Sequence, residues 1–398
     1  MNVQSLINEG VKLFKNKKID KAIEKLNQAL DEIKDKDSQI EEQNNIQFLL
    51  GCCYFEQAMK AKGEIATKLF DQAVEHHQQQ LRLAEQLEDK QNGLQEQIDA
   101  RFLLGHCYFK QAMKAKGKES EQLFGQTVEH HQQQLSLAKQ LADKQNSLQE
   151  QIDAQHWLGR CYLEQALKAK GKESKQLFGQ AVEHFQQSLE FAKQLEDKQN
   201  CLQEQIYAQS WLGRCYLEQA KKAKGKESEQ LFGQAIKHRR QELRLTRQLS
   251  NEQNSLQQQI NAQAWLGRCY LEQAIKAQGK NSEQLFGWAV KYRQQQLRLA
   301  KQLTDEQNSI QKQIYAQCWV GRCYLEQAIA IKDKKTSQAK KFSKRAEGYF
   351  LSAAKRLSQL IDKSEREKLK KRINELLRNS YFLQEEKWQM LLKNCCFK

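Results

Sequence analysis

Proline is absent from all 398 residues, so no helix is obliged to break where a backbone donor is missing. Glycine is scarce, at 18. No stretch approaches the ~20 consecutive apolar residues of a spanning helix. No apolar run follows Met1, so no signal peptide is expected, and a soluble, cytoplasmic protein is the default expectation. A glycine-rich phosphate loop, a nucleophile elbow and a His-Glu-x-x-His pair are all missing. The eleven cysteines contain no Cys-x-x-Cys pair, so a zinc site is not expected. Neither metal nor cofactor is anticipated, and no catalytic residue can be nominated.

What is present is a repeat. Trp211–Ala220 reads Trp-Leu-Gly-Arg-Cys-Tyr-Leu-Glu-Gln-Ala. The stretch recurs unchanged at Trp157–Ala166 and Trp265–Ala274, and with one change at Trp319–Ala328. Looser copies lie at Leu49–Ala58 and Leu103–Ala112. The central glycines Gly51, Gly105, Gly159, Gly213, Gly267 and Gly321 are each 54 residues apart. A fixed period of this size marks an array in which each unit buries its apolar face against its neighbours.

Ser147–Asn200 serves as the type unit. Ser147 and Glu150 form a Ser-x-x-Glu capping box, which predicts a helix start there. Ala154, Trp157, Leu158, Cys161, Tyr162, Ala166 and Ala169 make a wide apolar stripe. Gly171 is expected to stop that helix and Ser174 to cap the next. Leu177, Phe178, Ala181, Val182, Phe185, Leu189, Ala192 and Leu195 give the second helix one apolar face. Each helix is expected to span about 22 residues, or ~33 Å. Phe124-Gly125, Phe178-Gly179, Phe232-Gly233 and Phe286-Gly287 place a glycine inside the second helix, at a cost of ~1 kcal/mol against alanine. Close approach of another helix would account for it, although Asp71 fills the slot in the first long unit.

Residues 1–37 form a shorter unit, with Leu6, Gly10, Leu13 and Phe14 on one helix and Ala22, Leu26 and Ala29 on the next. The Lys17-Lys18 turn implies an antiparallel hairpin. Gly10, Ala22, Leu26 and Ala29 fall at the spacing of the tetratricopeptide (TPR) family, which this unit resembles. The long units, such as Glu183–Asp197 with its exit turn, are similar to the Pins/LGN type of that family. The family's end-of-repeat proline has no counterpart here. The resemblance implies an all-α fold, a right-handed superhelical solenoid of antiparallel helix hairpins. It also implies a concave groove, lined by the first helices, that holds peptides or partner helices. The expected divisions are 1–37 for the short hairpin, 38–361 for six long pairs, and 362–398 for a basic C-terminal cap. The cap's final helix pair is expected near 364–378 and 382–393.

Several columns recur in register. Arg160, Arg214, Arg268 and Arg322 continue toward the N-terminus as His106 and Cys52. By resemblance they line the groove as a ladder for carboxylates, with Asp153, His156, Tyr207, Ser210 and Tyr315 shaping its sides. The face opposite the buried stripe is expected to carry Asp153, His156, Arg160, Leu163 and Glu164. Each arginine also has a glutamate at i+4, so intrahelical pairing is an equal alternative. His76, His130, His184 and His238 lie one per unit, a spacing that cannot gather a ligand set on one hairpin. Trp157, Trp211, Trp265 and Trp319, on the buried stripe, read as core or edge packing between hairpins, in preference to base-stacking platforms. Six cysteines share one register, Cys53 to Cys323. Helices packed ~8–10 Å apart hold such residues too far apart for disulfides, so they read as small core residues. Cys395 and Cys396 are the candidate reactive thiols.

The formal charge is +16, unevenly spread. Residues 331–398 carry 19 Lys and Arg against 8 Asp and Glu, a net of +11. The expected function is non-catalytic: an adaptor holding a protein or peptide segment, with an acidic segment as the candidate for the arginine column. The alternative is nucleic-acid or other polyanion binding through the basic C-terminal region. A third is a structural spacer.

Overall fold

The computed structural model describes residues 2–33, 36, 39–333 and 335–382. Among them every regular element is helical, and consecutive helices pair as hairpins. The chain divides into two compact units, Met1–Cys201 and Leu202–Lys398. The first holds α1 (Val3–Lys15) with α2 (Ile19–Ile33), α3 (Ile40–Lys60) with α4 (Gly63–Ala84), α5 (Lys90–Lys114) with α6 (Gly117–Ala138), and α7 (Lys144–Lys168) with α8 (Gly171–Ala192). The α9 helix (Lys198–Lys222) starts at its edge. The second unit continues with α10 (Gly225–Thr246), α11 (Glu252–Lys276), α12 (Gly279–Ala300), α13 (Glu306–Ile331), α14 (Thr336–Arg356) and α15 (Lys363–Phe382). First helices of successive hairpins touch directly, α5 with α7 and α11 with α13.

The boundaries differ from the sequence expectation in instructive ways. The α7 helix starts at Lys144, not at Ser147, because Asp143 caps it through Asn146 N at 2.6 Å. Ser147 lies inside the helix and donates its hydroxyl to the Ala138 carbonyl at 2.7 Å. Ser255 and Ser309 do the same to Thr246 and Ala300. Ser174 likewise is no cap: its hydroxyl reaches the Ala166 carbonyl across the hairpin at 2.7 Å. In both places a short hydroxyl serves an end-of-helix carbonyl of the preceding helix, which otherwise lacks an intrahelical partner.

Gly171 does not terminate α7, which ends at Lys168. It opens α8 with φ +58°, as do Gly63, Gly117, Gly225 and Gly279 with φ of 55–63°. A β-carbon there meets nothing within 4 Å, so the left-handed backbone, not space, requires glycine. In the Ser147–Asn200 unit the first helix reaches 25 residues and the second 22. Lysines add a tie between repeats. Lys114 and Lys168 donate to the carbonyls of Ala58 and Ala112, and Lys276 to those of Ala220, Lys221 and Ala223. Each places a cation at a helix C-terminus, where the dipole favours it.

The repeated glycine of the motif has a separate cause. A β-carbon on Gly51, Gly105, Gly159, Gly213, Gly267 or Gly321 would stand 2.4–2.9 Å from a side chain of the partner helix. Those side chains are His77, His131, Phe185, Arg239, Arg293 and Phe350 in turn. Three residues on from each sits Gln80, Gln134, Ser188, Glu242, Gln296 or Ala353. Polar side chains over the glycine are thus followed by polar ones, and phenylalanines by small ones. His77 and His131 hold Gln80 and Gln134 at 3.0 and 2.9 Å. Arg239 pairs with Glu242 at 2.7 Å and Arg293 bonds Gln296 at 2.9 Å.

Gly125, Gly179, Gly233 and Gly287 show no such approach; a β-carbon on any of them meets nothing within 4 Å. The expected close helix contact is absent, and nothing in the structure explains these glycines. The six-cysteine column is buried, and all nine described cysteines are free thiols. Burial pushes Cys161, Cys269 and Cys323 up to about 12.

At the C-terminal end, Leu369, Ile373 and Leu377 of α15 join Ile310, Ile314, Cys318 and Phe350 in one apolar cluster. Ser343 and Ser380 exchange hydroxyl-to-carbonyl bonds at 2.7 and 3.2 Å. The helix expected over 382–393 and the Cys395–Cys396 pair lie outside the described residues, apart from the backbone of Phe382 in α15.

Candidate functional site

Along α7, Glu150, Asp153, Trp157, Arg160 and Glu164 are all partly exposed. Their three- and four-residue spacing makes them one ridge. The ridge recurs as Glu204, Tyr207, Trp211, Arg214, Glu218 and as Gln258, Asn261, Trp265, Arg268, Glu272. Trp157, Trp265 and Trp319 pack against the core clusters at the margin of the buried stripe, which is the edge packing expected of them. They sit half-buried at its edge, on the same ridge as the arginines.

That placement changes the arginine column. The guanidinium of Arg160 lies 4.0 Å from the Trp157 ring centre, Arg214 4.9 Å from Trp211, Arg268 5.0 Å from Trp265 and Arg322 5.0 Å from Trp319. A guanidinium over an indole is held by the ring's negative face. The i+4 glutamates also engage: Arg322 meets Glu326 at 3.5 Å and Arg268 meets Glu272 at 4.0 Å. Arg268 further reaches Glu218 of the preceding repeat at 3.6 Å. Intrahelical pairing is thus realised at Arg268 and Arg322, and all four arginines stay partly exposed. Such half-exposed pairs add little stability.

Beneath the same indoles lies a second set of cations that sequence reading missed. Buried Arg239 stacks on Trp265 at 4.6 Å and buried Arg293 on Trp319 at 4.4 Å. Among the described residues Arg293 bonds Gln296 and no carboxylate, and burial lowers it to about 9. In the first unit His131 takes this place, with its ring stacked on Trp157 at 5.8 Å. The available signal was the pairing of a bulky residue on the second helix with the motif glycine 26 positions earlier.

Other nominated residues fall in different surroundings. His156 is 3% exposed and packs edge-on against Phe185 at 5.3 Å. Burial, then Arg160 and His131, holds it well below the ordinary histidine range. It is a core residue, not a groove wall, and Leu163 is buried too. Asp153 and Ser210 are half-buried. Tyr207 is 40% exposed and meets Trp211 edge-on at 6.3 Å. Tyr315 donates to Glu365 of α15 at 2.8 Å, and burial and that carboxylate push its phenol up to about 12. Arg372 of α15 stacks on Trp319 at 5.4 Å, so the cap occupies the last ridge. Arg366 donates to the Leu360 carbonyl. Two of the cap's basic side chains thus serve packing.

The His76 column is structural. Each of His76, His130, His184 and His238 stacks on a tyrosine, Tyr54, Tyr108, Tyr162 or Tyr216, at 5.2–5.4 Å. Tyr292 stacks on Tyr270 in the same way. Gln47, Gln155 and Gln209 hold the Nδ1 of His76, His184 and His238 at 2.6–2.7 Å.

No family model matches the sequence, and no curated protein does. Among solved structures the chain is similar to the apo form of RapI, at 10% identity over 90% of this chain and 100% of that one, with a TM-score of 0.43. It is also similar to a Rap protein complexed with competence and sporulation factor, at 15% identity, 96% and 99% coverage and a TM-score of 0.39. A circular tandem repeat protein follows at 10% identity, 98% and 97% coverage and a TM-score of 0.34. Similarity at this level carries no functional inference. No helix among the described residues is long and apolar enough to cross a membrane.

Proposed function

We propose that this protein is a non-catalytic binding scaffold that takes a peptide or helical segment of a partner protein along its first-helix ridges. The observation that carries the reading is the tryptophan–arginine stack repeated on α7, α9, α11 and α13. Tryptophan and arginine are the residues most enriched where binding energy concentrates. A guanidinium fixed over an indole and beside a glutamate loses little further freedom on binding, and it retains donors for a partner carboxylate.

The test is Arg214→Glu with Arg268→Glu. Partner capture from a lysate falls at least tenfold while helicity and melting temperature stay within the range of the parent protein. Undiminished capture by the folded variant would overturn the reading.

A further inference from the structure

The stack is missing at two places in the first unit, Leu49 with Cys52 on α3 and Leu103 with His106 on α5. The register of Trp157, Trp211, Trp265 and Trp319 holds Leu103 on α5, and the register of the arginines holds His106. Three of the four indoles lie over the buried side chain of the preceding hairpin: Trp157 over His131, Trp265 over Arg239, Trp319 over Arg293. By register Leu103 corresponds to those indoles and His77 to the side chains beneath them, and both line one hollow. Being smaller than an indole, Leu103 leaves a hollow of about 120 Å³, walled by Phe14, Phe55, His77, Leu103 and His106 with Cys52 and Glu56. Phe14, Phe55 and Leu103 give this hollow an apolar side of the kind against which a ring packs.

A second hollow of about 410 Å³ lies on the same two helices. Glu41 and Glu42 of α3 and Glu96 and Asp99 of α5 line it, with Asn44. Asp99 precedes His106 by seven residues on α5, so the two hollows are ~10 Å apart along the helix. Among the described residues no lysine or arginine is ion-paired with these four carboxylates or with Glu56. Asp99 is pushed up to about 6, first by burial and then by Glu150 and Glu96, against a hydrogen bond from Gln95. Glu96 is raised as well, chiefly by burial. In a chain of net charge +16, this cluster has no cation among the described residues and has room for one.

We propose that the α3–α5 end of the ridge surface receives an aromatic ring of a partner segment in the hollow lined by His77, with an adjacent basic side chain of the same segment in the acidic hollow. The ring replaces the indole that the other registers supply internally. The cation compensates carboxylates that no described lysine or arginine pairs. This deepens the binding reading above by naming the partner chemistry for the first unit, and it does not depend on the arginine ridge.

The probes are acetyl-Lys-Trp-Lys-amide, acetyl-Glu-Trp-Glu-amide and acetyl-Lys-Ala-Lys-amide, titrated into the full chain and followed by saturation-transfer NMR and calorimetry. The Lys-Trp-Lys peptide binds at least tenfold more tightly than either control. Leu103→Trp supplies the ring that four other registers already accommodate, so it folds and removes the advantage over the alanine peptide. Glu96→Gln with Asp99→Asn removes the advantage over the glutamate peptide. The Arg214→Glu, Arg268→Glu protein keeps full affinity for Lys-Trp-Lys, which separates this site from the arginine ridge. Equal binding of the three peptides, unchanged binding to folded Leu103→Trp, or loss of binding in the arginine variant would each overturn the proposal.

Discussion

The ring of Phe185 lies where a β-carbon on Gly159 would be, with Cε1 2.8 Å from that position. The second helix thereby sinks its largest side chain against the backbone of the first. Gly179, twenty residues on, faces open space. The same substitution at the two sites has opposite signs. Gly159→Ala is destabilising by about 1–3 kcal/mol, the cost of overpacking a rigid ring. Gly179→Ala is stabilising by about 0.5–1 kcal/mol through helix propensity and the unfolded chain. Chemical denaturation of the two variants reads both.

Arg239 and Arg293 occupy one register with different neighbours, Glu242 and Gln296. Arg239→Phe strands Glu242, a buried carboxylate already raised by desolvation against the pull of Arg239. It costs about 3–5 kcal/mol, as expected for breaking a buried pair. Arg239→Phe with Glu242→Ser recreates the Phe185–Ser188 pairing and recovers most of that loss. Arg293→Phe leaves no charge behind and is close to neutral. A melting series of the three variants distinguishes pair disruption from mere loss of arginine.

His131 is buried against Gly105 and Trp157, with Gln134 on its Nδ1. Burial, and then Arg160, lowers it to about 4. An unfolded histidine protonates near ~6.5. The unfolded chain therefore gains a proton first, and stability is lost as pH falls from about 6.5 toward 4. His131→Phe, which copies Phe185, flattens the stability curve in that window by roughly 3 kcal/mol. A pH-dependent urea titration shows whether the acid limb changes.

Asp99 has the opposite linkage. Its folded value of about 6 exceeds that of an exposed carboxylate. The folded state holds its proton more firmly, so stability declines as pH rises from about 4 to 6. Asp99→Asn removes that decline and stabilises the protein by about 2 kcal/mol at pH 7.5, read as a higher melting temperature there and no gain at pH 4.

The repeat period, the helical class and the hairpin order were legible in the 54-residue spacing of Gly51 through Gly321, in the absence of proline and in the apolar stripes. These follow from local chemistry: 3.6-residue periodicity and backbone propensity act within one helix. The local signals misled where a side chain served a neighbouring helix instead of its own. Ser147 and Ser174 carry the composition of caps, yet their hydroxyls reach carbonyls nine and eight residues back. His156 shares the ridge's polar character in sequence, and only the stacking of hairpins buries it.

The tertiary structure decided what the motif's glycine is for. Periodicity showed that Gly213 recurs, but not that Arg239 lies against it or that Trp265 lies over Arg239. That relation joins three helices across two repeats, and no window of sequence contains it. The same geometry made Leu103 informative. In sequence it is a conservative departure from tryptophan; in three dimensions it lines one hollow with His77. Chain chemistry thus determined which surfaces repeat, and packing between hairpins determined where the repetition leaves space.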